Sequence, residues 1–320
     1  MATTQVPPDF EEILAARDRI RDVAVRTPLV LSPALSRKFG RDVYLKLECF
    51  QPTRVFKIRG AYNKLSQIGP DKVVAASSGN HGLAVAYSAK LLHKKCTVVV
   101  PEDAVQEKIS AIAEFGAEVV KFGNFSAERG RVAHEIATKI GAVYVPPFDD
   151  SDVIAGQGTC GLEIVEQLDE LSSVIVPVGG GGLISGISIA AKSLKPEVRI
   201  YSVEAEGAAK MGASLRAGKL IKIDSPHSIA DGLIPNSLGD LTFDICKDRV
   251  DGTYEVSDDQ ILTAMGLLAK DAHIFAEPSG AAPVAALLAG HDLERLGKKV
   301  VCVISGGNVS LELLRRVLGS

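Results

Sequence analysis

The 320-residue sequence has no tryptophan, only five cysteines and no long run of basic residues. Its 36 basic and 39 acidic residues give a formal charge of −3, so we expect no nucleic-acid partner. The cysteines are dispersed without a CxxC pair, which favours a reduced cytoplasmic protein over a disulfide scaffold. Glycine and proline interrupt the apolar runs, so no membrane association is predicted, and the N-terminus lacks the pattern of a secretory signal.

Length and composition are those of a globular protein with one large or two smaller domains. Hydrophobic residues make up 46% of the chain and charged residues 23%, which is an ordinary balance. A single core stops growing near about 250 residues, so two domains are favoured. No low-complexity segment or repeat of fixed period is visible.

Short apolar runs alternate with helical patterns of 10 to 16 residues along most of the chain. Within one of these patterns, Ser257 followed by Gln260 predicts a capping box. This alternation predicts parallel βαβ units and an open α/β sheet. Strands are predicted at 43–48, 72–77, 96–101, 117–122, 143–148, 174–179, 199–204, 252–257 and 299–305.

The helical pattern after residue 150 contains three glycines, Gly156, Gly158 and Gly161. Glycine inside a helix costs about 0.5–1 kcal/mol relative to alanine. We infer that another helix or a domain boundary closely approaches this backbone, and we place the start of a second domain near it.

Ligands of open α/β sheets bind beyond the carboxyl ends of the strands, and four predicted strand ends or helix starts carry unusual residues. The glycine loop, Gly179–Gly182, follows one strand and precedes a helical pattern. Free N–H groups at a helix N-terminus form an anion cradle, and the motif lacks the signatures of nucleotide and dinucleotide loops. It predicts a site for one small phosphate, with a plain tight turn as the alternative.

Two further strand ends carry hydroxyl and amide groups. The segment SSGNHG, Ser77–Gly82, suits a carboxylate, although an N-cap with a turn glycine is the alternative. The segment Ser305–Asn308 combines a hydroxyl with two glycines, which alone is an ordinary turn.

Lys57 lies between Phe56 and Ile58, just before a helical pattern. Desolvation would lower its pKa and make the amine a nucleophile, whereas most single lysines simply lie on the surface. Together, an amine, a phosphate cradle, a carboxylate loop and a hydroxyl suit pyridoxal phosphate and an amino acid.

The motifs FKIRGA, SSGNHG, VIAGQGT, VPVGGGGL and SGGN occur in this order. The set resembles the fold-type II pyridoxal-phosphate enzymes, specifically the serine/threonine dehydratase and serine racemase group, from RTPL at 26–29 onwards. The resemblance implies an α/β fold of two open, mainly parallel twisted-sheet domains (tryptophan synthase beta-like), with the cofactor in the cleft between them. Residues 1–49 and 151–320 would form the large domain and residues 50–150 the small one. It also implies a homodimer, and we expect no regulatory domain.

The resemblance implies residue roles as well. Lys57 is expected to form a Schiff base with the cofactor, with Phe56 beside the ring, Asn80 at the 3-hydroxyl and Ser305 at the pyridine nitrogen. The phosphate would be bound by Gly179, Gly180, Gly181, Gly182 and Leu183. The substrate carboxylate would be bound by Ser77, Ser78, Gly79 and His81.

The implied activity is β-elimination of a β-hydroxy amino acid of the L-threonine or L-serine type, giving a 2-oxo acid and ammonia. A serine racemase, in which Ser78 faces the substrate opposite Lys57, and a β-hydroxyaspartate dehydratase are the alternatives. Glu277 matches a family acid near the active site, but it equally suits a helix start. Asp231 is either a turn residue or faces the substrate.

The chain departs from the family at two places. Arg54 and Val55 stand where relatives often have glycine and serine, which leaves open a bulkier substrate such as the aryl-serine phenylserine. Glu204 and Ala208 match two ligands of a family metal site, but Lys210 stands at the third, where a divalent cation would need an acid. We therefore expect no divalent metal, and Lys210 could pair with Glu204 in its place; a site completed by Glu206, or one for a monovalent ion, is the alternative.

Overall fold

The computed structural model describes residues 5–69, 71–77, 79–123 and 126–319. Two separate sheets form its frame, a six-stranded sheet in the order β1-β2-β10-β7-β8-β9 and a four-stranded sheet in the order β5-β4-β3-β6. The strands are β1 (Leu29–Leu31), β2 (Asp42–Leu47), β3 (Lys72–Ala76), β4 (Lys95–Val100), β5 (Glu118–Lys121), β6 (Val143–Tyr144), β7 (Ser173–Pro177), β8 (Arg199–Ala205), β9 (Gly252–Val256) and β10 (Lys299–Ile304).

Helices connect most of these strands, and short 3-10 turns lie at 48–50, 206–208, 231–233 and 293–296. The helices are α1 (Phe10–Ile20), α2 (Pro33–Phe39), α3 (Ile58–Leu65), α4 (Asn80–Leu91), α5 (Gln106–Ala113), α6 (Ser126–Ile140), α7 (Ser151–Gln167), α8 (Gly182–Leu194), α9 (Lys210–Ala217), α10 (Asp240–Cys246), α11 (Asp258–Asp271), α12 (Pro278–Ala289) and α13 (Leu311–Leu318). None of these helices has the length and apolar character needed to cross a membrane.

The larger sheet is parallel except for its edge strand β1, which pairs antiparallel with β2. Its central strands are buried on both faces, which is why they read as continuous apolar runs. The nine predicted strands are all present. Strand β1 was not predicted because three residues are too few to establish a period.

The smaller sheet is entirely parallel. Its last strand ends at Tyr144, earlier than predicted: Val145 N–H still bonds to the Val74 carbonyl at 2.8 Å, but Pro146 and Pro147 have no N–H to continue the ladder. All four strands fall between residues 72 and 144, within the segment predicted as the small domain. The predicted domain boundaries at 50 and 150 stay a prediction.

The glycines of α7 allow two helices to pack against its backbone. A Cβ at Gly156 would lie 2.6 Å from the Cα of Gly60 in α3. On another side, a Cβ at Gly158 would lie 3.1 Å from the Gly186 carbonyl oxygen in α8, and a Cβ at Gly186 would lie 2.4 Å from the Gly158 nitrogen. The predicted close approach to this helix is therefore confirmed, and its partners are α3 and α8.

A buried ion cluster anchors α3. Arg59 Nε donates to Glu48 Oε2 at 2.8 Å, and Arg59 donates through a second nitrogen to Glu163 Oε1 at 2.7 Å. Lys46 also pairs with Glu163, at 2.5 Å. Removing one member of such a cluster leaves a buried charge without its partner, so the network constrains the helix that begins directly after Lys57.

Candidate active site

Two segments distant in the sequence meet at the end of β10. Phe56 N–H donates to the Ser305 carbonyl at 3.0 Å, and Gly307 N–H donates to the Arg54 carbonyl at 2.8 Å. Val55 forms an isolated antiparallel bridge with Gly306 between these bonds. This short pairing places Lys57 beside the strand end that carries Ser305.

The Lys57 amine is half-buried at the start of α3. Its Nζ donates a 2.6 Å hydrogen bond to the Pro147 carbonyl and lies 5.2 Å from the centre of the Phe56 ring. Desolvation by burial lowers the pKa of Lys57 to about 8. An amine with this pKa is uncharged in a much larger fraction of molecules near neutral pH than a surface lysine, which makes it a competent nucleophile and base.

The glycine loop is enclosed on several sides. A Cβ at Gly180 would lie 2.2 Å from the Phe148 ring, and one at Gly179 would lie 2.3 Å from the Gly232 carbonyl oxygen. Gly181 has a φ of +96°. Glycine is therefore required at these positions for packing and for backbone conformation.

The same loop presents backbone donors. Among the described residues, the N–H groups from Gly180 to Leu183 have no hydrogen-bond acceptor. They lie at the N-terminus of the 13-residue helix α8. Thr242 Oγ1 donates to the Gly180 carbonyl at 2.8 Å and so holds the loop from outside. Unpaired N–H groups at a helix N-terminus suit a phosphate group.

Ser305 ends β10 and is only 3% exposed. Its carbonyl accepts the hydrogen bond from Phe56, but within the described part of the chain its hydroxyl has no hydrogen-bond partner. A hydroxyl at a strand end that bonds to none of the described protein groups is available to a ligand atom.

The loop after β3 is only partly described, because Ser78 lies outside the described residues. Ser77 Oγ accepts a hydrogen bond from Gly79 N–H at 3.2 Å. Gly79 in turn precedes the 12-residue helix α4, and a Cβ placed on it would lie 3.9 Å from Lys108 Nζ. A lysine beside a helix N-terminus provides positive potential for a carboxylate.

Asp231 faces this lysine from the other side of the cleft. It lies in a 3-10 turn, and its carboxylate pairs with Lys108 Nζ at 2.6 Å. Asp231 is thus a turn residue that pairs with a lysine near the N-terminus of α4. Lys108 was not singled out from the sequence, because in the pattern of α5 it resembles any surface lysine.

His81 is placed differently from a carboxylate ligand. Its ring is buried in α4, with Nε2 donating to the Val145 carbonyl at 2.9 Å. Burial, followed by the charge of Lys57, lowers the pKa of His81 to about 3. The imidazole is therefore neutral and cannot offer a positive charge to a substrate carboxylate.

Glu277 is the centre of a buried network. Asn80 Nδ2 donates to Glu277 Oε1 at 2.8 Å, and Asn308 N–H donates to Glu277 Oε2 at 3.2 Å. Asn308 Nδ2 also donates to Asn80 Oδ1 at 2.8 Å. Burial and the charge of Asp231 raise the pKa of Glu277 to about 7.

The Glu277 side chain makes no capping bond, although the residue occupies the N-cap position of α12. The residue is thus at the helix start, but its side chain bonds to Asn80 and Asn308, and a role near the substrate stays a prediction. Asn308 is the last residue of the SGGN motif, and the sequence did not predict its part in this network.

Two residues that depart from the family pattern have different surroundings. Arg54 is exposed and has a φ of +58°, a conformation that glycine adopts without strain. Val55 is fully buried, so its side chain packs inside the protein. Whether these two residues change the preferred substrate stays a prediction.

The candidate metal ligands lie around a lysine. Lys210 Nζ is 3.1 Å from Glu204 Oε1 and 3.0 Å from the Ala208 carbonyl oxygen. Burial lowers the pKa of Lys210, and the Glu204 carboxylate opposes this effect. Within the described residues, no group of three or more His, Cys, Asp or Glu side chains is arranged to hold a metal ion.

Comparisons with known proteins identify the family of this chain. The sequence model of the family described as pyridoxal-phosphate dependent enzymes matches residues 20–306. The chain is 43% identical to the L-threonine ammonia-lyase of Thermotoga maritima over 97% of this chain and 78% of the relative. It is 38% identical to the L-threo-3-hydroxyaspartate ammonia-lyase of Saccharomyces cerevisiae over 96% and 95% of the two chains.

Among solved structures, maize serine racemase superposes with a TM-score of 0.93 at 36% identity and covers 98% of this chain and 97% of its own. The chain therefore belongs to the family of pyridoxal-phosphate dependent enzymes. Three predictions are thereby confirmed. The chain belongs to the predicted family, it has the type II fold with two mainly parallel sheets, and it is a pyridoxal-phosphate dependent enzyme.

Proposed function

We propose that the chain is an ammonia-lyase that converts a β-hydroxy amino acid of the L-threonine or L-serine type to a 2-oxo acid and ammonia. The observation that carries this proposal is the partly buried Lys57 amine, with a pKa of about 8, beside the strand end that carries Ser305. The names of the Thermotoga and Saccharomyces relatives support the same class of reaction.

The residues present fit pyridoxal phosphate. The unpaired N–H groups from Gly180 to Leu183 suit its phosphate, and the free Ser305 hydroxyl suits its ring nitrogen. Lys57 would hold the aldehyde carbon covalently, with Phe56 beside the ring and Asn80 at the 3-hydroxyl. The Phe148 ring fills the space that a side chain at Gly180 would need, so this position offers only its backbone N–H.

When bound, pyridoxal phosphate withdraws electrons from the substrate Cα and weakens the bond to its hydrogen. Lys57 Nζ, uncharged in much of the population near pH 8, accepts the α-proton. Ser305 supplies a neutral partner where an aspartate would supply negative charge. It therefore favours prompt loss of a leaving group over long-lived negative charge at Cα.

We assign the substrate carboxylate to the N-terminus of α4, where Gly79 lies near Lys108 and donates its N–H to Ser77 Oγ. The Lys108–Asp231 ion pair connects this loop to the opposite wall of the cleft. Both side chains are substantially exposed, so a substrate carboxylate can compete with Asp231 for the lysine.

Two other activities stay candidates. Racemisation requires a proton donor on the face opposite Lys57, a role proposed for Ser78, and maize serine racemase is a structural relative. Dehydration of β-hydroxyaspartate is the activity named for the yeast relative. An aryl-serine substrate is not suggested by these relatives, and it enters only as a member of the test panel.

The deciding experiment is a substrate panel on the purified holoenzyme, with L-serine, D-serine, L-threonine, threo-3-hydroxyaspartate and phenylserine. We expect 2-oxo acid and ammonia in equal amounts from L-threonine or L-serine. In deuterated water, accumulation of D-serine carrying α-deuterium without 2-oxo acid would instead establish a racemase. If only threo-3-hydroxyaspartate, or only phenylserine, releases a 2-oxo acid, that compound and not L-threonine or L-serine is the substrate.

A homodimer and a cytoplasmic location are proposed on the family resemblance. Phe50, Phe275 and Leu311 are more than half exposed, which supplies apolar surface for a second copy. Light scattering of the purified protein at several concentrations tests the dimer.

A further inference from the structure

The Lys210 side chain is fully buried at the start of α9, and its ammonium contacts four oxygen atoms. Glu204 Oε1 lies at 3.1 Å, and the carbonyl oxygens of Val178, Ala208 and Leu233 lie at 3.0, 3.0 and 2.8 Å. These oxygens come from the strand β8, the residue after β7, and two 3-10 turns. One nitrogen therefore joins the stretch from Glu204 to Lys210 to two distant segments, at Val178 and at Leu233.

The surroundings of this nitrogen require a positive charge. An ammonium has three protons to donate, whereas a neutral amine has two and would leave more of the oxygens without a donor. The Glu204 carboxylate is itself fully buried, and its oxygens accept hydrogen bonds from Met211 N–H at 2.9 Å and Gly212 N–H at 3.0 Å. A carboxylate and three carbonyls facing one point are the kind of ligands that hard cations take.

Two of the four contacts connect the two loops that border the site. Val178 directly precedes the glycine loop, and Leu233 directly follows Gly232, whose carbonyl oxygen would lie 2.3 Å from a Cβ on Gly179. The turn that ends at Leu233 begins at Asp231, the partner of Lys108. Lys210 thus holds the glycine loop and this turn together from behind the site.

We propose that the Lys210 ammonium is a tethered cation that fixes the glycine loop to the turn at 231–233 and takes the place of an exchangeable cation in this protein. It is a positioning residue, since it acts through the backbone of the two loops. The proposal concerns loop position and cation binding, so it stands or falls independently of the reaction proposed above.

The test compares Lys210→Ala with Lys210→Met. Alanine removes the atoms of a propylammonium ion and leaves a cavity lined by the four oxygens, whereas methionine fills that space without charge. We expect both variants to melt at least about 5 °C below wild type and to lose bound pyridoxal phosphate more rapidly on dialysis, since an unpaired buried carboxylate is costly. Wild-type melting should not respond to EDTA.

The distinguishing result is rescue. Propylammonium or ammonium chloride should restore at least half of the lost melting temperature in Lys210→Ala, and tetramethylammonium chloride at equal ionic strength should not, because it cannot donate hydrogen bonds. Lys210→Met should respond to none of these salts. If Lys210→Ala does not fold in ordinary buffer, the same comparison is made through its refolding yield from urea.

Lys192→Ala is the matched control, because Lys192 pairs with Asp251 on a partly exposed surface. Its melting temperature should change little and should not respond to propylammonium. The proposal is overturned if Lys210→Ala and Lys210→Met behave alike in every salt. It is also overturned if EDTA lowers the melting temperature of wild type and a divalent cation restores it.

Discussion

Asn80 Nδ2 donates a hydrogen bond of 2.8 Å to Glu277 Oε1. Asn80 begins the helix after β3 of the smaller sheet, and Glu277 precedes α12, which packs against the larger sheet. This bond joins the two sheets at the cleft through a carboxyl group that is only 4% exposed. The protonation of Glu277 therefore affects the stability of this junction.

Replacing Glu277 with glutamine should change the pH dependence of stability. The pKa of Glu277 is raised from 4.5 to about 7, so its contribution to stability is present below pH 4.5 and is lost as the pH rises through 7. Glutamine cannot ionise. The free energy of unfolding of Glu277→Gln, relative to wild type, should therefore rise by about 2–3 kcal/mol between pH 5 and pH 8.

Urea unfolding of the apo proteins at pH 5 and pH 8 measures this difference. Glu312→Gln, at an exposed position on α13, is the control for the substitution itself. A difference between Glu277→Gln and wild type that is the same at both pH values would mean that Glu277 does not titrate in this range.

Lys57→Ala should abolish turnover and covalent cofactor attachment while the fold is kept. Borohydride reduction of the wild-type holoenzyme, followed by peptide mass mapping, should place the cofactor on the peptide that contains Lys57. Lys72→Ala, which removes an exposed lysine of β3, should retain normal activity and labelling. Labelling of a different lysine, or full activity of Lys57→Ala, would refute the role proposed for this residue.

The rate of covalent cofactor uptake by the apo protein should depend on pH through Lys57. Because its pKa is lowered from 10.5 to about 8, the fraction of Lys57 that is uncharged and reactive increases with pH and reaches one half near pH 8. We expect the rate to rise between pH 6 and 8 and to level off above about pH 9. A rate that continues to rise up to pH 10 would indicate an ordinary lysine pKa.

Gly180→Ala should weaken cofactor binding. The new Cβ would lie 2.2 Å from the Phe148 ring, and the displaced loop would no longer align its N–H groups. Overpacking of this size costs about 1–3 kcal/mol, and if the whole cost falls on binding, the Kd of pyridoxal phosphate increases about 5- to 150-fold. Titration of the apo protein by absorbance measures the Kd.

The control for this variant is Gly130→Ala in α6, where an added Cβ meets nothing within 4 Å. It should leave the Kd unchanged and raise the free energy of unfolding by about 0.5–1 kcal/mol, since glycine inside a helix is unfavourable. Equal effects of the two substitutions on the Kd would argue against a specific role for the glycine loop.

Local patterns were sufficient to predict most of the elements. Apolar strands, the Ser257 capping box and the glycines of α7 were all visible, because each reflects neighbouring residues in the chain. The edge strand β1 was missed because it spans only three residues, and β6 proved short because two prolines follow Val145. The glycine loop and Lys57 stood out because their residue types are unusual where they occur.

Contacts between distant segments could not be predicted in this way. The pairing of Lys108 with Asp231, and the network of Asn80, Asn308 and Glu277, depend on how the two sheets are oriented. Phe148 gives no sequence signal of its position against Gly180. In the sequence, Phe148 looks like any other apolar residue that follows a strand.

Lys210 shows where the limit lies. The sequence by itself determined that a cation stands where an acid would be needed for a divalent metal. Only the tertiary structure decided that its ammonium meets the carbonyl oxygens of Val178, Ala208 and Leu233. Every residue has the same carbonyl group, so which carbonyls converge on one point depends on the folded path of the chain and not on residue type.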